Sequence, residues 1–378
     1  MGNTFLTRII MIPAAVWLSV FFGGSMGSGV ELVQYITSNG PIGGFVAIGS
    51  VALVVMAVMF CCFELSRRYK AYDYRQFSKV ILGKLWWLYE IAILLSMIIV
   101  IAISSTAAGT VLGEYLQTNH YVGQVALLAV VIFFTYKGRE FIEKSMTIAS
   151  MSLLLILAII AGYVYVNLGE IVAFELANDE VSLAAASVGS QYAMVNVAFF
   201  PLLLFAGRHI KKSTDSVVAS ISAAIVGVLP LAALHFAFLS YYPEVLTSGV
   251  EVPVYWLLEQ LESTWLIDVY VLILFVLILQ TGVGMMQGFV ERIDNYMQEK
   301  HNKTLSATQH AGVAGSMVLL SLALSTLGIV ALILAGYKFL FMIFIVVFFI
   351  PLFTVGIYKL LKTSGKGNAI VIEGAKAQ

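Results

Sequence analysis

Charge is what this sequence has least of. Only 11% of its 378 residues are Asp, Glu, Lys or Arg, against about 25% in a soluble globular protein. So little charge excludes the solvated surface of a soluble enzyme, the basic face of a nucleic-acid binder and a disordered scaffold. Cysteine is nearly missing as well. The two present, Cys61 and Cys62, are neighbours inside an apolar run, and adjacent residues of one helix cannot easily bond to each other. No disulfide framework is implied. Enzyme signatures are lacking: no HExxH, CxxC or P-loop pattern occurs. No cluster of His, Cys and carboxylates has metal-ligand spacing, and no protein-bound cofactor is expected.

What the chain does have is apolar length. Hydrophobic residues make up 60% of it, and a spanning helix needs about 20 of them in a row. Ten segments qualify, near 8–37, 41–66, 84–112, 121–136, 141–167, 190–207, 214–240, 264–292, 310–334 and 338–361. The fold class expected is an all-α membrane protein with ten transmembrane helices. Apolar sequence begins at Ile9 without a small-residue cleavage site, so the first segment reads as a span and not as a cleavable leader. Residues 363–378 are polar and read as a disordered cytoplasmic tail.

Lys and Arg are retained on the cytoplasmic side of such proteins. With Arg8 inside, ten spans place Arg67, Arg68, Lys70, Arg75, Lys79 and Lys84 in one cytoplasmic loop. Twenty of the 21 basic residues then fall inside, and Lys338 alone falls outside. The outer segment 168–189 carries Glu170, Glu175, Asp179 and Glu180 and no base. A missed or extra span would scramble this asymmetry. The expected location is the cell inner (plasma) membrane, multi-pass, with both termini cytoplasmic. The expected partners are the lipid bilayer and a small-molecule substrate, with no nucleic acid, and the chain is expected to be a monomer or a weak oligomer.

Two of the spans are interrupted. The first reaches Phe22 and then reads Gly23-Gly24-Ser25-Met26-Gly27-Ser28-Gly29, a poor helix because each glycine costs about 1 kcal/mol against alanine. The sixth reads Met194-Val195-Asn196-Val197-Ala198-Phe199-Phe200-Pro201, where Pro201 lacks an amide hydrogen and clashes with the carbonyl of Val197. The basic loop after the second span has a counterpart in the acidic loop 242–263 after the seventh. Five spans per half is an odd number, so the second half is inverted relative to the first. The chain thus divides into a first five-helix repeat (1–167), an extracellular loop (168–189), a second, inverted repeat (190–362) and the tail. Two inverted halves, each opening with a helix broken at the midplane, is the plan of many secondary transporters working by alternating access. Irregular backbone at membrane depth is tolerated where it lines a protein cavity.

The run Gly24-Ser25-Met26-Gly27-Ser28-Gly29-Val30-Glu31-Leu32-Val33-Gln34-Tyr35 resembles the first-helix signature of the bacterial YkvI-type membrane proteins. Looser matches are Ala107-Ala108-Gly109-Thr110-Val111-Leu112-Gly113-Glu114-Tyr115 and Tyr192-Ala193-Met194-Val195-Asn196. That family belongs to the amino acid–polyamine–organocation superfamily, which shares the fold of the neurotransmitter:sodium symporters. The resemblance covers nearly the whole chain. It implies a cargo that is a small polar organic solute: an amino acid, an amine or a zwitterion. Phe199 and Phe200 stand where relatives carry small residues. Sodium-coupled members of the wider fold offer a sodium ion two neighbouring hydroxyls from the eighth helix; here Thr281 keeps one and Gln280 replaces the other.

Free amides and carbonyls at a split helix are ready partners for a carboxylate and a cation. The substrate site expected is built by Gly23, Gly24, Ser25, Met26, Gly27, Ser28, Asn196, Phe199, Phe200 and Gln280. Ser25 and Thr281 are the expected oxygen ligands of a coupling Na+, or hydroxyls that merely bond a carbonyl one turn back. Glu31 is a carboxylate within a span, which is costly and usually faces a cavity or a partner. Relatives can close their outer vestibule with a charge pair between the first and tenth helices. Glu31 and Lys338 are therefore expected as an outer gate with the signs swapped. Glu31 as a proton-coupling group, or as the partner of a substrate ammonium, stays open, as does a membrane sensor or scaffold without turnover. Glu90 beside Trp86, Trp87 and Tyr89 reads as an acid in an aromatic belt. Glu64 with Arg67 and Arg68 reads as a surface pair, and His235 as a satisfied packing histidine.

Overall fold

A computed structural model describes residues 5–137, 139–301 and 306–364, and these are mostly helical, with no strand among them. Helix covers part of every one of the ten segments named above. The first is broken into α1 (Ile12–Phe21), a five-residue turn Gly24–Ser28, and α2 (Val30–Tyr35). Then come α3 (Pro41–Tyr69), the short α4 (Tyr74–Leu82), α5 (Trp86–Leu116), α6 (His120–Lys137) and α7 (Arg139–Ala177). The second half holds α8 (Ala185–Val197), a 3-10 segment Phe200–Gly207, α9 (Ser213–Phe238) and α10 (Pro253–Gln260). It ends with α11 (Thr264–His301), α12 (Ala307–Ser325), α13 (Ile329–Phe344) and α14 (Ile357–Ser364). Five helical stretches among the described residues are long and apolar enough to cross a membrane. A sixth arises if α8 and Phe200–Gly207, bent by 68°, count as one broken span.

Small residues let these helices close on one another. α3 packs against α8 and α9, α5 against α6 and α11, and α1 against α9. A methyl group on Gly189 of α8 would lie 2.3 Å from the Ala47 carbonyl oxygen, and one on Gly44 would lie 2.2 Å from the His235 ring. Interfaces of this kind are held by backbone-close packing, since lipid and apolar side chains give no solvent-driven preference between helices. His235 itself is buried and fully engaged, with Nε2 against the Pro41 carbonyl at 2.9 Å and Nδ1 against Thr37 Oγ1 at 3.1 Å. The packing role read from the sequence is the one seen.

The two ends of the helical bundle differ in charge. One carries Arg67, Arg68, Arg75, Lys211 and Lys359 (the basic end), the other Asp179, Glu251 and Glu259 (the acidic end). At the acidic end Asp179 Oδ2 accepts the Ile42 amide at 2.7 Å, capping α3 from a distant loop. At the basic end α4 buries Phe77, Val80 and Ile81. Its N-terminus is capped by Asp73, which accepts the Gln76 amide at 2.9 Å.

Three boundaries differ from the sequence reading. Segment 168–189, expected as a loop, is helical to Ala177 and again from Ala185, because Gly169 and Glu170 are single interruptions that a long helix absorbs. The turn between the ninth and tenth segments lies at 326–328 and not near 335–337, with Gly328 at φ 79° supplying the reversal. Lys338 therefore sits well inside α13, not at the start of a helix. Helix α14 runs to Ser364, so only the 365–378 part of the expected disordered tail lies outside the described residues.

Candidate functional site

The first break is made by two separate backbone events. Phe22 (φ −89°, ψ 69°) and Gly23 (φ −84°, ψ −171°) leave the helix, and Gly29 then turns left-handed at φ 89° before α2 resumes. A side chain at Gly29 would be strained at that φ and would also lie 2.8 Å from Val254 on α10. The second break follows from Pro201. Leu202 N bonds to the Phe199 carbonyl at 3.0 Å, a 3-10 contact, and the chain bends there by 68°.

The expected site residues are partly brought together. An added Cβ on Gly23 would meet Thr281 Oγ1 at 3.1 Å, which sets the first break directly against α11. Gly27 faces Leu274 of the same helix. Met26 and Ser28 are buried, and Ser28 Oγ accepts the Val30 amide at 3.4 Å. Across from them, the Tyr192 hydroxyl lies 3.3 Å from Met26 Sδ, and Asn196 Nδ2 donates to the Tyr192 carbonyl at 3.0 Å. The breaks thus adjoin through Tyr192. Phe200 packs into Phe63 and Trp17, while Phe199 packs edge-on to Phe344 of α13. Thr281 Oγ1 donates to the Leu277 carbonyl at 3.1 Å, the one-turn-back bond foreseen as its alternative role. The side chains of Ser25 and Gln280 lie outside what the structure describes.

Glu31 is buried at 1% exposure, although it belongs to the short α2 near the acidic end. Its Oε2 accepts the Tyr192 hydroxyl at 2.7 Å, and its Oε1 accepts the hydroxyl of Tyr337 on α13. Tyr35 completes a set of three nearly parallel rings, with centroids 5.3 Å from Tyr192 and 6.1 Å from Tyr337. A cavity of about 390 Å³ opens beside them, lined by Tyr35, Gln191, Tyr192, Tyr337 and Lys338 among others. Lys338 is exposed at this cavity, and its neighbour Tyr337 is the residue that reaches Glu31. Sequence reasoning missed these tyrosines as partners. Their signal was available, because a tyrosine buried in an apolar helix must find a partner for its hydroxyl.

Two acids are set differently from their sequence reading. Glu64 is buried at 1% exposure. It takes Arg67 at 2.5 Å and Arg68 at 2.7 Å, together with the Ser216 hydroxyl of α9 at 3.1 Å. The helical spacing gave the right partners, but the pair is interior. Glu90 accepts the Tyr74 hydroxyl at 2.8 Å and lies 3.3 Å from Arg292 and 3.8 Å from Arg75. It joins α4, α5 and α11. Tyr89, read as part of an aromatic belt, is fully buried and donates to the Ala198 carbonyl at 2.7 Å. Trp87 is exposed, as a belt residue is.

The sequence matches no family model, and no curated protein matches it. Solved structures do. A Na+-coupled sialic acid symporter in a substrate-bound outward-open state is similar at a TM-score of 0.60 and 14% identity, covering 92% of this chain and 78% of that one. The inward-facing conformation of Mhp1 aligns at 0.55 and 14% identity over 87% and 72%. A manganese transporter from Eremococcus coleocola aligns at 0.57 and 12% identity over 89% and 73%. The chain has the all-helical fold of these transporters.

Proposed function

We propose that this chain is a secondary active transporter of a small polar organic solute (an amino acid, an amine or a zwitterion), moved by alternating access and coupled to an ion. The observation that carries this reading is the meeting of two interrupted helices through Tyr192, with Gly23 of the first break against Thr281 of α11. Interrupted backbone held inside protein supplies free amides and carbonyls where a cargo and a cation can bind. The cargo site comprises Gly23, Gly24, Ser25, Met26, Gly27, Ser28, Asn196, Phe199, Phe200 and Gln280. Sodium, with Ser25 and Thr281 as ligands, is the favoured coupling ion, and the sodium coupling of a structural neighbour supports it. The basic end is cytoplasmic, as the retention of Lys and Arg on that side requires, in the plasma membrane.

The region of Glu31 and Lys338 is the outer gate, with the hydroxyls of Tyr192 and Tyr337 on the carboxylate and Lys338 at the adjoining cavity. Solute flux into proteoliposomes, with sodium and proton gradients imposed separately, tests the whole reading. Uptake driven by sodium and lost in Asn196→Ala is the expected result. Uptake driven only by protons and lost in Glu31→Gln would transfer the coupling to Glu31. Saturable binding without flux would make the chain a sensor on a transporter fold.

A further inference from the structure

Each break sets a main-chain carbonyl against a buried tyrosine hydroxyl. Ala198 has lost both of its helical donors. The donor three residues on is Pro201, which has no N–H, and the donor four residues on, Leu202 N, bonds to Phe199 instead. Near Gly27 the chain turns left-handed at Gly29, and the Val30 amide, the donor three residues on, goes to Ser28 Oγ. An unsatisfied carbonyl in an apolar interior costs several kcal/mol. Both carbonyls are supplied by a buried tyrosine. Tyr89, in the first turn of α5, donates to Ala198 O at 2.7 Å, and Tyr270, in the second turn of α11, donates to Gly27 O at 2.5 Å.

The arrangement is crossed. The tyrosine from the first half of the chain serves the break in the second half, and the tyrosine from the second half serves the break in the first. The two bonds also lie toward opposite ends. Tyr89 adjoins Glu90, which pairs with Arg75 and Arg292 at the basic end. Tyr270 lies two residues from Asp268, and Gly29, just beyond its acceptor, packs against α10 at the acidic end. Each tyrosine is at most 1% exposed.

We infer that Tyr89 and Tyr270 are paired positioning residues that latch the two breaks. Opening toward the acidic end releases the Tyr270–Gly27 bond while the Tyr89–Ala198 bond holds, and opening toward the basic end does the reverse. Both bonds are made in this structure. A single neutral hydrogen bond suits the task, since its net contribution is about 0.5–1.5 kcal/mol and conformers that exchange differ by only a few kcal/mol. An ion pair at these places would hold one state too firmly. The inference rests on the alternating-access reading.

Amide hydrogen exchange by mass spectrometry on the full chain in nanodiscs tests it without cargo or gradient. In Tyr270→Phe, exchange across residues 24–35 should rise by about fivefold or more, the removal of one partner from a buried carbonyl, with residues 198–207 unchanged. In Tyr89→Phe the pattern should invert. Phenylalanine keeps the ring and its packing, so each variant removes the hydroxyl bond alone. Flat segments in either variant, or both segments rising together, would overturn the latch. A variant that failed to fold would overturn it too for that tyrosine, because a bond that opens in every cycle cannot be indispensable to the fold. Segment-specific exchange in a chain that shows no flux would sink the transport reading and leave the two tyrosines as side-specific clamps.

Discussion

The buried carboxylates at the two ends of the molecule are held in opposite ways. At the basic end Glu64 is gripped by two guanidinium groups of its own helix and a hydroxyl from α9. The arginines in turn tie α3 to its neighbours, Arg67 to the Lys211 carbonyl at 3.3 Å and Arg68 to the Leu360 carbonyl at 2.7 Å. At the acidic end Glu31 accepts neutral tyrosine hydroxyls from α8 and α13. Charge-assisted pairs are strong and directional. Hydroxyl contacts from separate helices can be released one helix at a time. The contrast is one of firm cross-bracing at the basic end and, on the transport reading proposed above, a releasable closure at the acidic one.

The comparison breaks first at Glu64. Replacing it by alanine takes from Arg67 and Arg68 their shared acceptor, and the cost is about 3 kcal/mol, the low end for a broken buried pair, because both guanidinium groups keep a carbonyl partner and some solvent. Glu64→Ala should therefore show the largest fall in melting temperature of the changes considered, read by thermal unfolding in detergent. A fall no greater than that of a surface substitution would mean that the arginines are already satisfied elsewhere.

Tyr337→Phe sharpens the contrast at the other end. It removes one hydroxyl from Glu31 and keeps the ring stacked on Tyr35. Hydrogen bonds to charged groups contribute about 1.5–3 kcal/mol, so the expected loss of stability is smaller than at Glu64. The releasable closure also predicts a change that Glu64→Ala would not make. The cavity beside Tyr337 should become more accessible, so that an impermeant thiol reagent modifies Gln191→Cys faster in the Tyr337→Phe background. An unchanged labelling rate would show that the hydroxyl does not restrain the closure.

These contrasts mark where the sequence could be read and where it could not. Helical segments were legible because each is a local run of apolar residues, and the breaks because glycine and proline act on their own backbone. The pairing of Glu64 with Arg67 and Arg68 followed from spacing along one helix. Its burial did not, since that depends on Ser216, 152 residues away. The hydroxyls on Glu31 come from 161 and 306 residues away, and no periodicity in α2 could announce them. The turn at Gly328 was misplaced for a related reason. Ala335 and Gly336 look as breakable as Thr326 to Gly328, and only the packing of Tyr337 and Leu340 into the interior favours one over the other.

The smallest effect belongs to Tyr74, and it isolates the cause of the difference. Tyr74 donates to Glu90 just as Tyr337 donates to Glu31, a tyrosine hydroxyl on a carboxylate in both places. Glu90 is less buried, however, and it keeps Arg292 at 3.3 Å and Arg75 at 3.8 Å when the hydroxyl goes. Phenylalanine also preserves the face on which the Arg292 guanidinium rests, 4.4 Å from the ring centroid. Tyr74→Phe should thus cost no more than about 1 kcal/mol. If it instead matched Tyr337→Phe, the strength of these contacts would come from the hydroxyl–carboxylate bond itself and not from the surroundings. The division of the molecule into a braced end and a releasable end would then lose its electrostatic basis.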